Sequence, residues 1–115
     1  MNKLLLVPAA LSLALLAGCA RGVALPPTYE VIYPPASFGN LRIVYKDAAA
    51  AKHPTEWNLD GGSWRPVGEQ PAVQVGAYTH QVGFRALRKL RDRAPAKVPV
   101  VIRKDKRALI QVDYQ

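Results

Sequence analysis

From Gly39 to the C-terminus the apolar residues recur at every second position, and that period sets the class of fold before any motif is considered. A strand turns successive side chains to opposite faces, so alternation produces a strip with one apolar and one polar side. Leu41, Ile43 and Tyr45 share one face, and Arg42, Val44 and Lys46 share the other. Tyr78, His80, Val82 and Phe84 repeat the pattern, followed by Val98, Val100 and Ile102, then Ala108, Ile110, Val112 and Tyr114. Helical spacing is confined to Phe84, Leu87 and Leu90. The surrounding Arg85–Arg93 stretch is too short and too positively charged to hold as a helix.

The punctuation between these runs belongs to a β protein. Trp57–Trp64 reads as a hairpin, with Asp60-Gly61-Gly62 supplying the positive φ angles that tight turns require. Pro66, Gly68 and Pro71 mark a loop before the short run Val73–Val75, and Lys104-Asp105-Lys106 turns the chain again. Ala48–Ala51 is a connection, because four alanines cannot nucleate a helix. Half of the residues are apolar and 21% are charged, which excludes wholesale disorder. The single Cys excludes a disulfide framework and a thiolate zinc cluster. The expected fold is all-β: one small antiparallel β-sandwich over residues 39–115.

The order of these pieces resembles the PEGA family, small bacterial surface domains with a transthyretin-like sandwich. Leu41–Tyr45 stands for the family's first strand, and Trp57–Trp64 for its hairpin ending near Asp-Gly. Gln70-Pro71 precedes the short strand Val73–Val75, and Gly76-Ala77-Tyr78 steps into the long strand Thr79–Phe84. A closing hairpin over Val98–Tyr114 completes the pattern. The family's four-letter motif is absent, and Arg85–Lys97 is an insertion. The resemblance implies a fold and no activity.

The N-terminus carries an address. Met1–Lys3 is a short basic start, and Leu4–Leu16 is an uncharged, mostly apolar run. That run falls short of the roughly 20 residues a spanning helix needs and matches the core of an export signal over residues 1–18. Leu16-Ala17-Gly18-Cys19 resembles the lipobox of bacterial lipoproteins. The resemblance implies cleavage before Cys19, a diacylglycerol on its thiol and acylation of the new amine. Each buried CH₂ contributes roughly 0.8 kcal/mol, so two or three chains anchor firmly where one does not. Ala20 occupies the position where Asp favours inner-membrane retention, which implies the outer membrane with the domain facing the periplasm. In a monoderm host the domain would face the outer cell surface. Arg21–Pro35 carries Pro26, Pro27, Pro34 and Pro35 and reads as an extended tether, making residues 19–38 a lipidated linker. The alternation of Tyr29, Val31 and Tyr33 lets part of it pair as an edge strand.

No arrangement of side chains points to catalysis. His53 and Glu56 lie three residues apart with Asp60 following, and His80 is the only other imidazole. A metal site needs three or four converging ligands, and none is expected. Cys19 is consumed by lipid, and Ser37 and Ser63 lack a nucleophile-elbow context. Asp60-Gly61-Gly62 is a turn rather than a phosphate cradle. The expectation is a non-enzymatic protein without a cofactor. Trp57 reads as core, and Trp64, between Ser63 and Arg65, is equally compatible with surface.

Charge is distributed unevenly. Five basic and five acidic residues cancel between residues 20 and 84, whereas Arg85 to Arg107 holds ten basic residues and only Asp92 and Asp105 as acids. The basic residues singled out are Arg85, Arg88, Lys89, Arg91 and Arg93, with Arg103, Lys104, Lys106 and Arg107 around the last turn. Such a block attracts anions: lipid head groups, lipopolysaccharide, an anionic wall polymer or an acidic envelope protein. Export argues against nucleic acid. If the Arg85–Lys97 connection folds back beside the last turn, the two groups merge into one patch. The expected role is an anchored envelope lipoprotein acting through its surface. The alternatives are a subunit of an envelope or secretion assembly, and a periplasmic inhibitor or immunity protein presenting Trp57–Trp64.

Overall fold

The computed structural model describes residues 20–69 and 72–115. The export segment, Cys19 and the Gln70-Pro71 step lie outside the described residues. The alternating runs form ten strands: β1 (Ala20–Ala24), β2 (Thr28–Val31), β3 (Gly39–Tyr45), β4 (Thr55–Leu59), β5 (Arg65–Pro66), β6 (Val73–Val75), β7 (Thr79–Ala86), β8 (Asp92–Arg93), β9 (Val98–Val101) and β10 (Lys106–Tyr114). One turn of 3-10 helix, Ala50–Lys52, is the only helical piece among the described residues, and it buries Ala50. No helix there is long and apolar enough to cross a membrane. The protein is an all-β, sandwich-like domain of two sheets.

The first sheet is built around β10. Along one edge, Arg107–Val112 pairs in parallel with Asn40–Tyr45 of β3, and β6 pairs antiparallel with β3 beyond it. The other edge is shared: β2 covers Lys106–Leu109 and β1 covers Val112–Tyr114, both antiparallel. β8 adds to β1 in parallel, with Ala20 opposite Asp92 and Arg21 opposite Arg93. The second sheet is antiparallel throughout, in the order β5-β4-β7-β9. The inward residues of both sheets meet in one core of Leu41, Ile43, Ile110 and Val112 against Trp57, Val82 and Val100. Fully burying such a side chain contributes about 1.5–3 kcal/mol, so this layer is the main source of cohesion.

Three features differ from the sequence reading. The stretch after Cys19 is part of the sheet rather than a tether, so the sandwich begins at Ala20 instead of Gly39; the edge pairing that the Tyr29 and Val31 alternation allows is realised in β2. Its prolines are compatible with this because Pro26 and Pro27 fall between β1 and β2, where a missing N–H interrupts no ladder. Leu25 just before them still donates its N–H to the Gln111 carbonyl at 2.8 Å. Second, β9 and β10 form no hairpin: they lie in different sheets. Asp105, at φ 62°, turns the chain across the sandwich, with its N–H on the Phe38 carbonyl and its own carbonyl accepting from Ile32. Third, the first sheet is mixed, because β3–β10 and β1–β8 are parallel pairs.

The hairpin at Trp57–Trp64 forms as expected, with Asp60 at φ 50° and Gly61 at φ 76°. The Arg85–Lys97 segment is not helical. β7 runs on to Ala86, a turn follows, and β8 closes onto β1.

Candidate functional site

β10 runs the length of the sandwich and separates the two basic groups. Lys106 and Tyr114 lie eight residues apart on it, about 26 Å at the usual rise of a strand. Arg103, Lys104, Lys106 and Arg107 surround its first residues, whereas Arg88, Lys89, Arg91 and Arg93 lie by β8 and Ala20, near its last. Arg85, at the same end of β7 as β8, sits opposite Glu56. The two groups therefore do not merge. The topology places them at opposite ends because the chain between them, residues 94–102 with β9 in it, runs toward the end of β7 at Thr79.

The end near Ala20 is organised by a buried carboxylate. Asp92 is 4% exposed. Its Oδ1 accepts a hydrogen bond from Nδ1 of His53 at 2.8 Å, and its Oδ2 faces Nε of Arg88 at 3.4 Å. Arg88 also donates to the Lys52 carbonyl. The His53 ring stacks on Tyr114 with centroids 4.6 Å apart. Thr55 Oγ1 donates its one proton to the His53 carbonyl at 2.8 Å, so the Tyr114 hydroxyl is the donor in their 2.5 Å contact. Burial pushes the Tyr114 hydroxyl above its ordinary pKa. The Thr55 N–H completes the set on the Tyr45 hydroxyl at 2.8 Å. Ala20 donates its N–H to the Arg91 carbonyl at 3.1 Å, and Arg21 exchanges backbone hydrogen bonds with Gln115. Gly22 lies under the buried Pro95, where an added Cβ would come within 2.4 Å of the ring.

This cluster joins a histidine, a carboxylate and a hydroxyl without presenting them in series. The Thr55 hydroxyl is used by a backbone carbonyl and by Tyr114, so the His53 ring has no nucleophile to activate there. What the arrangement does is fasten the Ala50–Lys52 turn, β4, β8 and the end of β10 to one another. His53 and Glu56 are neighbours along the chain, but the structure pairs His53 with Asp92 and gives Glu56 to Arg85 at 2.7 Å. Nothing local signals the His53–Asp92 pair, because 39 positions separate the two residues.

The other candidates are placed as follows. His80 is 3% exposed, its Nδ1 2.5 Å from Asp60 Oδ2 and its Nε2 2.9 Å from the Gly76 carbonyl, with Tyr78 stacked on its ring. The Gln81 N–H, followed by the His80 ring, holds the Asp60 carboxyl below the usual carboxylate range. His80 is thus a buried, hydrogen-bonded residue. Trp57 is core at 5% exposure. Trp64 lies at the surface beneath Arg85, whose guanidinium stands 4.6 Å from the ring centroid. At the far end Arg107 meets Glu30 at 3.5 Å and Arg103 covers the Tyr29 ring at 4.9 Å. Lys89, Arg91, Arg93, Lys104 and Lys106 form no ion pair with the described residues. Among the described residues, no group of three or more His, Cys, Asp or Glu is placed to hold a metal ion.

Among protein-family models, curated proteins and solved structures, none matches this chain.

Proposed function

We propose that the chain is a non-enzymatic envelope lipoprotein, anchored through Cys19 and acting through surface contacts with anionic envelope components. The observation that carries this reading is the junction of address and fold. The lipobox-like Leu16-Ala17-Gly18-Cys19 ends one residue before β1, whose first residue is hydrogen-bonded to the basic 87–93 segment. A lipid on Cys19 would hold a folded, positively charged surface directly against head groups. By the same resemblance the location is the outer membrane with the domain in the periplasm, or the outer cell surface in a monoderm host.

Cys19→Ser tests the anchor. The variant is expected to lose the acyl mass at its N-terminus and to leave the membrane fraction on a high-salt wash. Retention of the Ser variant in washed membranes would overturn the lipid anchor.

A second reading, a subunit of an envelope or secretion assembly, is favoured by the far end. Tyr33 and Tyr78 are 81% and 63% exposed there, where Ile32 next to Tyr33 donates its N–H to the Asp105 carbonyl and the Tyr78 carbonyl accepts from Ile102. A stoichiometric protein partner, cross-linked through Tyr33 or Tyr78 in native membranes, would support it over lipid contact alone.

A further inference from the structure

We propose that the turn Leu87–Arg91 is a lipid-contact wedge, in which Leu90 enters the interface of an anionic membrane while Lys89, Arg91 and Arg93 bind its head groups. This rests on the anchored-lipoprotein reading and adds to it a docking face and an orientation of the domain.

Leu90 is 99% exposed and Leu87 is 56% exposed, within the run Arg88-Lys89-Leu90-Arg91. A single exposed leucine is ordinary on a protein surface. Here it stands at the tip of a turn between Lys89 and Arg91, neither of which forms an ion pair with the described residues. An apolar tip ringed by Lys and Arg suits the boundary between phosphate head groups and acyl chains. The base of the turn is rigid. Leu87 donates its N–H to the Pro54 carbonyl at 3.0 Å, and both Arg91 and Asp92 donate to the Arg88 carbonyl at 2.9 Å. Buried Asp92 then fixes the far side of the turn through His53 and Arg88. The wedge is therefore preformed, and inserting it requires no further ordering of the chain.

Position selects the lipid surface over other anionic partners. Ala20, the residue that follows Cys19 in the sequence, is bonded to Arg91 and paired with Asp92 at the base of the turn. A lipid at Cys19 brings this end to the bilayer, the turn together with Arg21 and Arg85, and leaves the Arg103–Arg107 group away from it. Arg103 to Arg107 lie about 26 Å away at the other end of β10, beyond the roughly 8–10 Å over which an anionic surface acts at moderate salt. The domain then stands with β10 pointing away from the membrane and its Tyr33 and Tyr78 end free.

The test uses the full lipidated chain with an environment-sensitive fluorophore on Leu87→Cys, which leaves Leu90 in place, or on Lys104→Cys at the opposite end. The chains are reconstituted in phosphatidylcholine vesicles with and without phosphatidylglycerol. At position 87, phosphatidylglycerol should produce a blue shift, a several-fold rise in emission and quenching by acyl-chain-brominated lipid. At position 104 the emission should stay aqueous. Leu90→Asp, and separately Lys89→Gln with Arg91→Gln and Arg93→Gln, should return position 87 to its aqueous signal. Each cation near an anionic surface contributes about five-fold in partitioning, so removing three is on the order of 100-fold. Neither set touches the His53–Asp92–Arg88 cluster, and unchanged circular dichroism confirms the fold.

An aqueous signal at position 87 in anionic vesicles, equal signals at 87 and 104, or indifference to both sets of substitutions would each overturn the wedge. The acyl mass on Cys19 reports the anchor separately. Were that mass absent, the Cys19→Ser chain labelled at 87 and added to the same vesicles would still decide the wedge.

Discussion

At the Ala20 end of the sandwich an acid is buried between two bases, while at the Asp105 end the comparable pair stands in solvent. The Asp92 side chain is 1% exposed and is gripped by His53 and Arg88, whereas Glu30 is 57% exposed where it meets Arg107. The two ends carry similar positive charge, yet they are built differently. At the Ala20 end the charged side chains help hold the chain together and present a rigid turn. At the other end they lie over finished backbone, with Arg103 resting on Tyr29. Charge density alone therefore does not distinguish the two ends. The turn proposed as a wedge differs in pairing cations with an exposed leucine and in being held from beneath.

The largest test of this contrast is Asp92→Ala. Breaking a buried ion pair costs about 3–5 kcal/mol, and the partial exposure of His53 and Arg88 reduces that to about 2–3 kcal/mol. Urea unfolding should show this loss, and amide exchange should show the Ala20 and Arg21 N–H groups losing protection first. A loss below about 1 kcal/mol would mean that β8 and β1 are held by their backbone ladder alone.

A smaller effect, confined to acid, belongs to Asp60. Its folded pKa lies below the ordinary 3.8, so its contribution is fully present above that value and is lost as pH falls through the folded one. Asp60→Asn should flatten the fall in stability below pH 3.8 and leave the turn at Leu87–Arg91 unaltered, as read by melting midpoints across that range. An unchanged acid profile would remove the Gln81 and His80 contacts as the cause.

The smallest effect is expected for Arg107→Gln. An exposed pair contributes about 0–1 kcal/mol, so its unfolding midpoint should stay near that of the wild type. A loss as large as that of Asp92→Ala would erase the distinction between the two ends.

Much of the strand content was legible in the sequence because alternation is local: Leu41 to Tyr45, His80 to Phe84 and Ala108 to Tyr114 each declare a face without reference to the rest of the chain. The turn at Asp60-Gly61 was legible for the same reason, since positive φ is a property of the residues that adopt it. Arg21–Pro35 misleads because its prolines have the composition of a linker. The alternation at Tyr29 and Val31 hints at Thr28–Val31, whereas Ala20–Ala24 is a strand only because the free edge of β10 takes it.

What the sequence by itself determined is the period, the turns, the export-like start and the excess of positive charge, all of which are written in neighbouring residues. The tertiary structure decided which strands are neighbours. Period two says which side of a strand faces the core and nothing about what borders its edges, so β9 and β10 could part into separate sheets and β3 could run parallel to β10. That choice of edges split the basic residues between two ends, brought His53 to Asp92 across the fold, and set the Leu87–Arg91 turn beside the residue that follows Cys19.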